Sequence, residues 1–130
     1  MAQQITKELK LIFLIHFFTS IVIGLVFLVM TEWFVALIDW PNPDPAAGRL
    51  LGCAIIGFAA SSLLAWRETE WIRVKILVQM EMVWCVLGGG VLIGSFFMLE
   101  NMPLFTWVFI VVLLAFFVAF AWFYFVQERD

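Results

Sequence analysis

Residues 104–126 read LFTWVFIVVLLAFFVAFAWFYFV, a run of 23 residues without a charged side chain. An α-helix rises about 1.5 Å per residue, and about 20 helical residues cross the hydrocarbon core of a bilayer. Inside lipid the backbone of such a segment has no water to bond, so the segment has to be helical there. We therefore predict a transmembrane helix over about residues 103–126.

Three more apolar runs lie upstream, at residues 11–30, 46–66 and 76–99. The chain is 65% hydrophobic and 13% charged, whereas soluble domains average about 45–50% apolar and about 25% charged residues. The sequence therefore predicts an all-α membrane protein with a single domain over residues 1–130. We expect four transmembrane helices in an up-down bundle, at about residues 9–30, 45–66, 73–99 and 103–126.

The segment between the first two transmembrane helices has a pattern of its own. TEWFVALIDW at 31–40 carries apolar side chains at helical spacing, which favours a short helix lying in the membrane interface over about residues 32–40. The alternating prolines of PNPDP at 41–45 favour an extended segment. Asp44 before Pro45 is typical of a helix N-cap followed by the first helical residue, so the second transmembrane helix is predicted to begin there.

The positive charges predict how the helices are oriented. Six of the seven Lys and Arg residues fall on one side of the predicted membrane, and only Arg49 falls on the other. The six are Lys7, Lys10, Arg67, Arg73, Lys75 and Arg129. Under the positive-inside rule this bias places both chain termini in the cytoplasm. We expect a multi-pass protein of the plasma membrane with that orientation.

Small residues indicate which helix faces pack together, because membrane helices associate through close approach at small side chains. The second and third helices carry such residues at regular spacing, and the predicted helix-packing positions are Gly52, Cys53, Gly57, Gly88, Gly90 and Gly94. Cys53 and Cys85 both lie in apolar runs, so we expect two buried free thiols. The pattern favours packing within the bundle over a homodimer interface, and the two are compatible.

A layer of polar residues is predicted inside the membrane. Glu81 lies six residues beyond Lys75, and His16 lies six residues beyond Lys10, which puts both about 9 Å from the same surface. The predicted members of the layer are Glu81, His16, Ser61, Ser20 and Tyr124, with Ser62 at the same level as Ser61. An intramembrane carboxylate is costly and often functional. The alternatives are a proton- or cation-binding group, the anchor of a lipid or quinone head group, and a hydrogen bond that locks the helices together.

Several classes of protein are disfavoured by composition. A net charge of −3 provides no basic surface for nucleic acid. One histidine and two separated cysteines supply neither two axial haem ligands nor a zinc or iron–sulfur ligand set. No phosphate-binding glycine loop is present, and nothing marks an oxyanion hole. We expect no cofactor, no metal and no enzymatic activity.

The order of features resembles the DoxX-like small four-helix membrane proteins. The resembling part is the first helix, the interfacial segment, and DPAAGRLLGCAIIG at 44–57 with Arg49, Gly52 and Gly57. That resemblance implies a four-helix membrane fold and an association with membrane redox or quinone-linked complexes, although this chain has no redox cysteine pair. Small multidrug transporters also have four helices, but their essential glutamate lies in the first helix, where this chain has His16.

The leading functional hypothesis is a non-enzymatic integral membrane protein that forms a homo-oligomer or serves as an accessory subunit of a membrane complex. One alternative is a small proton- or cation-coupled transporter or channel that uses Glu81. Another is a membrane protein that binds a lipid or quinone between the first and third helices. The expected partners are membrane lipids, a second copy of the chain or other membrane subunits.

Overall fold

A computed structural model describes all 130 residues and contains five helices and no β-sheet. The helices are α1 (Lys7–Val29), α2 (Thr31–Leu37), α3 (Pro45–Arg67), α4 (Trp71–Met98) and α5 (Thr106–Arg129). Four of them, all except α2, are long and apolar enough to cross a membrane. The predicted all-α fold with four membrane-spanning helices is confirmed. The protein is therefore a multi-pass helical membrane protein.

The short helix α2 ends earlier than predicted. It stops at Leu37 instead of reaching residue 40, because Asp39 adopts a positive φ of 54° that a continuing right-handed helix does not allow. The N–H of Trp40 then turns back to donate to the carbonyl of Val35 at 2.9 Å. The chain consequently changes direction at residues 38–40, and Trp40 lies outside the helix.

The predicted start of α3 is present as a capped helix end. The carboxylate of Asp44 accepts hydrogen bonds from the N–H groups of Ala46 at 3.0 Å and Ala47 at 3.1 Å. Pro45, which has no N–H to satisfy, occupies the first helical position. Two of the free N–H groups at the helix start are thereby satisfied.

The four long helices form two pairs, α1 with α3 and α4 with α5, and the pairs touch each other less closely. The backbones of α1 and α3 approach at two facing glycines. A Cβ placed on Gly52 would lie 2.6 Å from the backbone nitrogen of Leu28 and 2.8 Å from the carbonyl oxygen of Gly24. Only a residue without a side chain allows this approach, so Gly52 sets the distance between the two helices.

Several predicted packing positions do not pack within the chain. A Cβ on Gly57, Gly90 or Gly94 would meet nothing within 4 Å, and Cys53 is exposed. The prediction that these four residues pack against other helices of the chain was therefore wrong. The prediction that Cys53 is a buried thiol was wrong as well. Successive helical residues differ by about 100° around the axis, so the stripe through residues 53, 57 and 61 points away from the stripe of α3 that meets α1, which contains Gly52, Ala59 and Ser62. Gly88 does pack within the chain, though against a side chain and not a backbone, since a Cβ there would lie 3.2 Å from a methyl group of Leu113.

The half of the bundle that contains both chain termini is tightly packed. We call this end the terminal end, and the end that carries α2 and residues 38–44 the open end. Eight buried apolar residues form one cluster in the terminal half: Ile5, Leu9, Phe13, Ala65, Trp71, Val74, Val78 and Phe120. The largest buried apolar cluster therefore lies on one side of the polar layer, between that layer and the terminal end.

Residues 3–6 close the terminal end as a short strap. The N–H of Ile5 donates to the carbonyl of Thr69, and the N–H of Trp71 donates to the carbonyl of Gln3, each at 2.9 Å. The buried side chain of Gln127 accepts from the N–H of Thr6 at 2.8 Å. The strap thus joins the start of the chain to the α3–α4 turn and to the end of α5.

Candidate functional site

His16, Ser20, Ser62 and Glu81 meet between three helices, and we call them the polar cluster. Nδ1 of His16 lies 2.7 Å from Oγ of Ser62, and its Nε2 lies 3.3 Å from Oγ of Ser20. The same Nε2 lies 3.3 Å from Oε2 of Glu81. His16 and Ser20 are four residues apart on α1 and therefore stand on one face, while Ser62 comes from α3 and Glu81 from α4.

The carboxylate of Glu81 has no complete set of partners. Its side chain is fully buried, and neither oxygen accepts a hydrogen bond. The 3.3 Å contact with His16 is within the range of an ion pair, but it does not meet the geometry of a hydrogen bond. A buried polar group without a partner costs about 1–3 kcal/mol, and a charged one costs more. The unpartnered carboxylate therefore lowers the stability of the fold. A side chain that served only to hold the helices together would not need to carry this cost.

Aromatic side chains hold the His16 ring in place. Phe116 makes an edge contact with it at a centroid distance of 4.7 Å and an interplanar angle of 87°, and Phe120 makes a second edge contact at 5.6 Å. Both residues come from α5, one turn apart. All four long helices therefore contribute to the surroundings of His16, which orients its two nitrogens toward the polar neighbours.

Two residues predicted for the polar layer lie elsewhere. Ser61 donates a hydrogen bond to the carbonyl of Phe58 in its own helix at 2.8 Å, and its neighbour Ser62 is the one that meets His16. Tyr124 accepts from Gln79 at 3.1 Å and packs against Trp71 at the terminal end. Depth along the helix, which the sequence shows, is nearly the same for these residues, but the direction around the helix differs by about 100° per residue.

A cavity of about 530 Å³ begins at the polar cluster and extends toward the open end. His16, Ser20 and Cys85 line its inner end, and Trp40 and Asp44 line its outer end. Its size falls in the usual range of about 300–1,000 Å³ for small-molecule sites. Sixteen of its 24 lining residues are hydrophobic, and Asp44 is its one charged lining residue. The cavity therefore suits a mostly apolar molecule with a polar end.

The cavity is closed toward the terminal end. Below His16 and Glu81 lie Phe13, Val78 and Phe120, each with no exposed surface. The closely packed cluster and the strap of residues 3–6 occupy the rest of that half. The bundle thus has a hollow half and a packed half, and it forms a blind cavity, not a continuous channel.

An ion pair ties α2 to α3 near the outer end of the cavity. Nη2 of Arg49 lies 2.6 Å from one carboxylate oxygen of Glu32 and 2.8 Å from the other. The hydrogen bond from Arg49 lowers the pKa of Glu32 below its ordinary value. Both side chains are exposed, so the pair contributes little to global stability. Its effect is local, since it holds α2 over the start of α3.

The cavity was not predicted from the sequence, although residues of α4 indicate it. Cys85 and Gly88 follow Glu81 on the face of α4 that looks into the bundle, and both line the cavity. Trp84 lies at mid-membrane depth, stacks on Phe58 at 4.9 Å and also lines the cavity. The small residues Cys85 and Gly88, one and two turns beyond Glu81, leave space next to the polar cluster.

Comparisons of the chain with protein-family models, with curated proteins and with solved structures find no match. What the fold defines is the class of a small multi-pass helical membrane protein. The site adds a blind, mostly apolar cavity that ends at His16 and Ser20, with the buried Glu81 behind them.

Proposed function

We propose that this protein is a non-enzymatic membrane protein that binds a small, mostly apolar molecule inside its bundle. The observation that carries the proposal is the blind cavity of about 530 Å³ with the polar cluster at its inner end. Apolar walls with a few convergent polar groups are typical of small-molecule sites. The α1 side chains that line the cavity lie between residues 16 and 27, a stretch of about 16 Å along the helix. This length supports a ligand longer than a bare ion.

The charge bias supports an orientation for this site. Six of seven basic residues lie at the terminal end, which favours a plasma-membrane protein with cytoplasmic termini and a cavity that faces the outer side. Single cysteines placed at Asn42 and at Asp130 in a cysteine-free background test this orientation. A membrane-impermeant maleimide applied to intact cells should label only the first, and labelling of only the second would reverse the orientation.

Binding explains the geometry better than transport does. A transporter that uses Glu81 needs access to it from both sides of the membrane, and the terminal half contains closely packed side chains and the strap of residues 3–6. A purely structural role for Glu81 is disfavoured for another reason, because both of its oxygens lack hydrogen-bond partners. The quinone association implied by the DoxX-like resemblance stays a prediction, and the proposal does not depend on it.

The binding site can be tested with a matched pair of cavity and surface variants. Val112 lines the cavity, whereas its neighbour Val111 is 62% exposed on the outer surface of α5. Val112→Trp should fill the cavity, and Val111→Trp adds the same side chain outside it. The measurement is saturable binding of tritiated 1-dodecanol to protein in nanodiscs, corrected for binding to empty nanodiscs.

We expect saturable binding by the wild type and by Val111→Trp, and a loss of at least about tenfold in affinity for Val112→Trp, since removing one well-filled apolar contact surface costs on the order of 1.4 kcal/mol or more. Absence of saturable binding in the wild type, or equal binding by both variants, would contradict the proposal.

A second candidate function is that of a subunit in a larger membrane assembly, either a homo-oligomer or an accessory component. The supporting observation is that Cys53, Gly57 and Gly90 leave lipid-facing surfaces of α3 and α4 without large side chains, and small residues on exposed faces suit contact with another helix. Light scattering of the detergent-solubilised protein tests self-association, and a monomer that co-purifies with no other chain would remove this candidate.

A further inference from the structure

The polar cluster contains more hydrogen-bond acceptors than donors. Glu81 brings two oxygens that both lack a donor. His16 can direct only one ring nitrogen toward Glu81, because the other lies 2.7 Å from Ser62. A neutral imidazole carries a single N–H. In either tautomer, therefore, the protein supplies at most one hydrogen to the carboxylate, and at least one of its oxygens stays free.

The charged side chain that lines the cavity is acidic, and so is the buried one behind its inner end. Asp44 lines the outer end, and Glu81 lies directly behind the inner end in contact with His16. No Lys or Arg lines the cavity, and Lys75 is engaged with Glu128 at 2.7 Å. An anionic head group would meet a buried carboxylate with no fixed cation to offset it, which is unfavourable in a medium of low dielectric constant. A cationic head group would instead be attracted by the buried carboxylate.

The walls are also suited to a cation. Aromatic rings attract positive charge through their negatively polarised faces, and tryptophan does so most strongly. Trp84 and Phe116 line the cavity near its inner end, and Phe109, which contacts Phe34 of α2, lines it near the open end. The same rings provide apolar surface for a hydrocarbon tail, so the two parts of an amphiphilic amine find their complements in one cavity.

We infer that the ligand is a protonated amine with one apolar tail, whose ammonium group seats at the inner end of the cavity beside His16 and Ser20, with the carboxylate of Glu81 directly behind them. The N–H groups donate to the polar atoms that line this end, the positive charge offsets the carboxylate behind them, and the tail lies along the apolar walls toward the open end. This inference rests on the proposed function and specifies its ligand class.

The test compares four probes that share a dodecyl tail: dodecylammonium, dodecyltrimethylammonium, 1-dodecanol and dodecanoate. Each is measured in tritiated form on protein in zwitterionic nanodiscs at pH 7, with empty nanodiscs subtracted. Hydrogen bonds that involve a charged group are stronger than those between neutral groups, so dodecylammonium should bind about tenfold or more tightly than dodecanol. Dodecyltrimethylammonium, which has the charge but no N–H, should bind less tightly than dodecylammonium, and dodecanoate should bind least.

Variants locate the effect at one carboxylate. Glu81→Gln should abolish the preference for dodecylammonium over dodecanol and leave dodecanol binding in place. Glu100→Gln is the matched control, because Glu100 is exposed and does not line the cavity, and it should keep the preference. The four-probe comparison in the wild type needs no variant and decides the question even where Glu81→Gln does not fold.

The outcomes separate the two proposals. Saturable dodecanol binding without a preference for dodecylammonium would overturn the inferred ligand class and leave the proposed function standing. A preference that survives Glu81→Gln, equally tight binding of the trimethylated probe, or tighter binding of dodecanoate would also overturn the inferred class. If no probe binds saturably, the proposed function itself fails.

Discussion

Gly52→Ala should destabilise the bundle because it adds one methyl group where the backbones of α1 and α3 nearly touch. The added Cβ would lie 2.6 Å from the nitrogen of Leu28, 2.8 Å from the carbonyl oxygen of Gly24 and 3.0 Å from the carbonyl carbon of Phe27. All three neighbours are backbone atoms, so none can rotate aside. The helices have to separate or shift along each other.

The size of this effect follows from the geometry. Ordinary contact with a Cβ begins at 3.4 Å, so the nearest approach is 0.8 Å too short. Overpacking of a filled interior costs about 1–3 kcal/mol, and rigid backbone neighbours place this case in the upper part of that range. Alanine also favours helix formation over glycine by about 1 kcal/mol, which opposes the loss. A matched control removes that contribution.

Gly57→Ala is that control, because it changes the same residue type in the same helix and its Cβ would meet nothing within 4 Å. The assay is unfolding of the purified protein from mixed micelles by increasing SDS, followed by far-UV circular dichroism. We expect Gly52→Ala to be about 2–3 kcal/mol less stable than Gly57→Ala. Equal stability, or a more stable Gly52→Ala, would refute the close approach of α1 and α3.

Two further perturbations address the ends of the bundle. Arg49→Gln removes the hydrogen bond that lowers the pKa of Glu32, so that pKa should rise toward its ordinary value in an NMR titration. A carboxyl group with a lowered pKa stabilises the folded state above its unfolded pKa, and this contribution disappears as the pH falls through the folded pKa. The acid-dependent loosening of α2 should therefore occur in the wild type and be absent from Arg49→Gln; an unchanged pKa for Glu32 would contradict the pairing. At the other end, Gln127→Ala removes the acceptor of the Thr6 N–H. Amide hydrogen exchange at Thr6 should accelerate by about tenfold, as expected for losing one buried hydrogen bond of roughly 1.4 kcal/mol. Gln79→Ala, which removes an exposed amide, should leave that exchange rate unchanged, and equal rates in the two variants would argue against the strap.

The sequence was sufficient to predict depth along each helix. Basic residues mark the membrane surface, and counting from Lys10 and Lys75 placed His16 and Glu81 at one level. The structure brings those two side chains to 3.3 Å. The fold class follows from the same kind of information, because the length and apolarity of a segment decide whether it crosses a bilayer.

Rotation about each helix axis was not predictable in the same way. A soluble helix has a polar side that faces water, but α5 is apolar all round across the membrane, so its sequence does not mark an inward face. The choice between Ser61 and Ser62 depended on rotation alone. The cavity was harder still, because it arises from missing side chain volume contributed by several helices, and no single segment records it.

The strap of residues 3–6 has a consequence for how the protein is made. Its N–H groups bond to Thr69, which follows α3, and to Gln127, near the end of α5. During synthesis residues 3–6 are made before either partner. Their contact with Gln127 forms only after α5 has been translated. The terminal end therefore closes late in assembly, because its hydrogen bonds require both helix pairs to have come together.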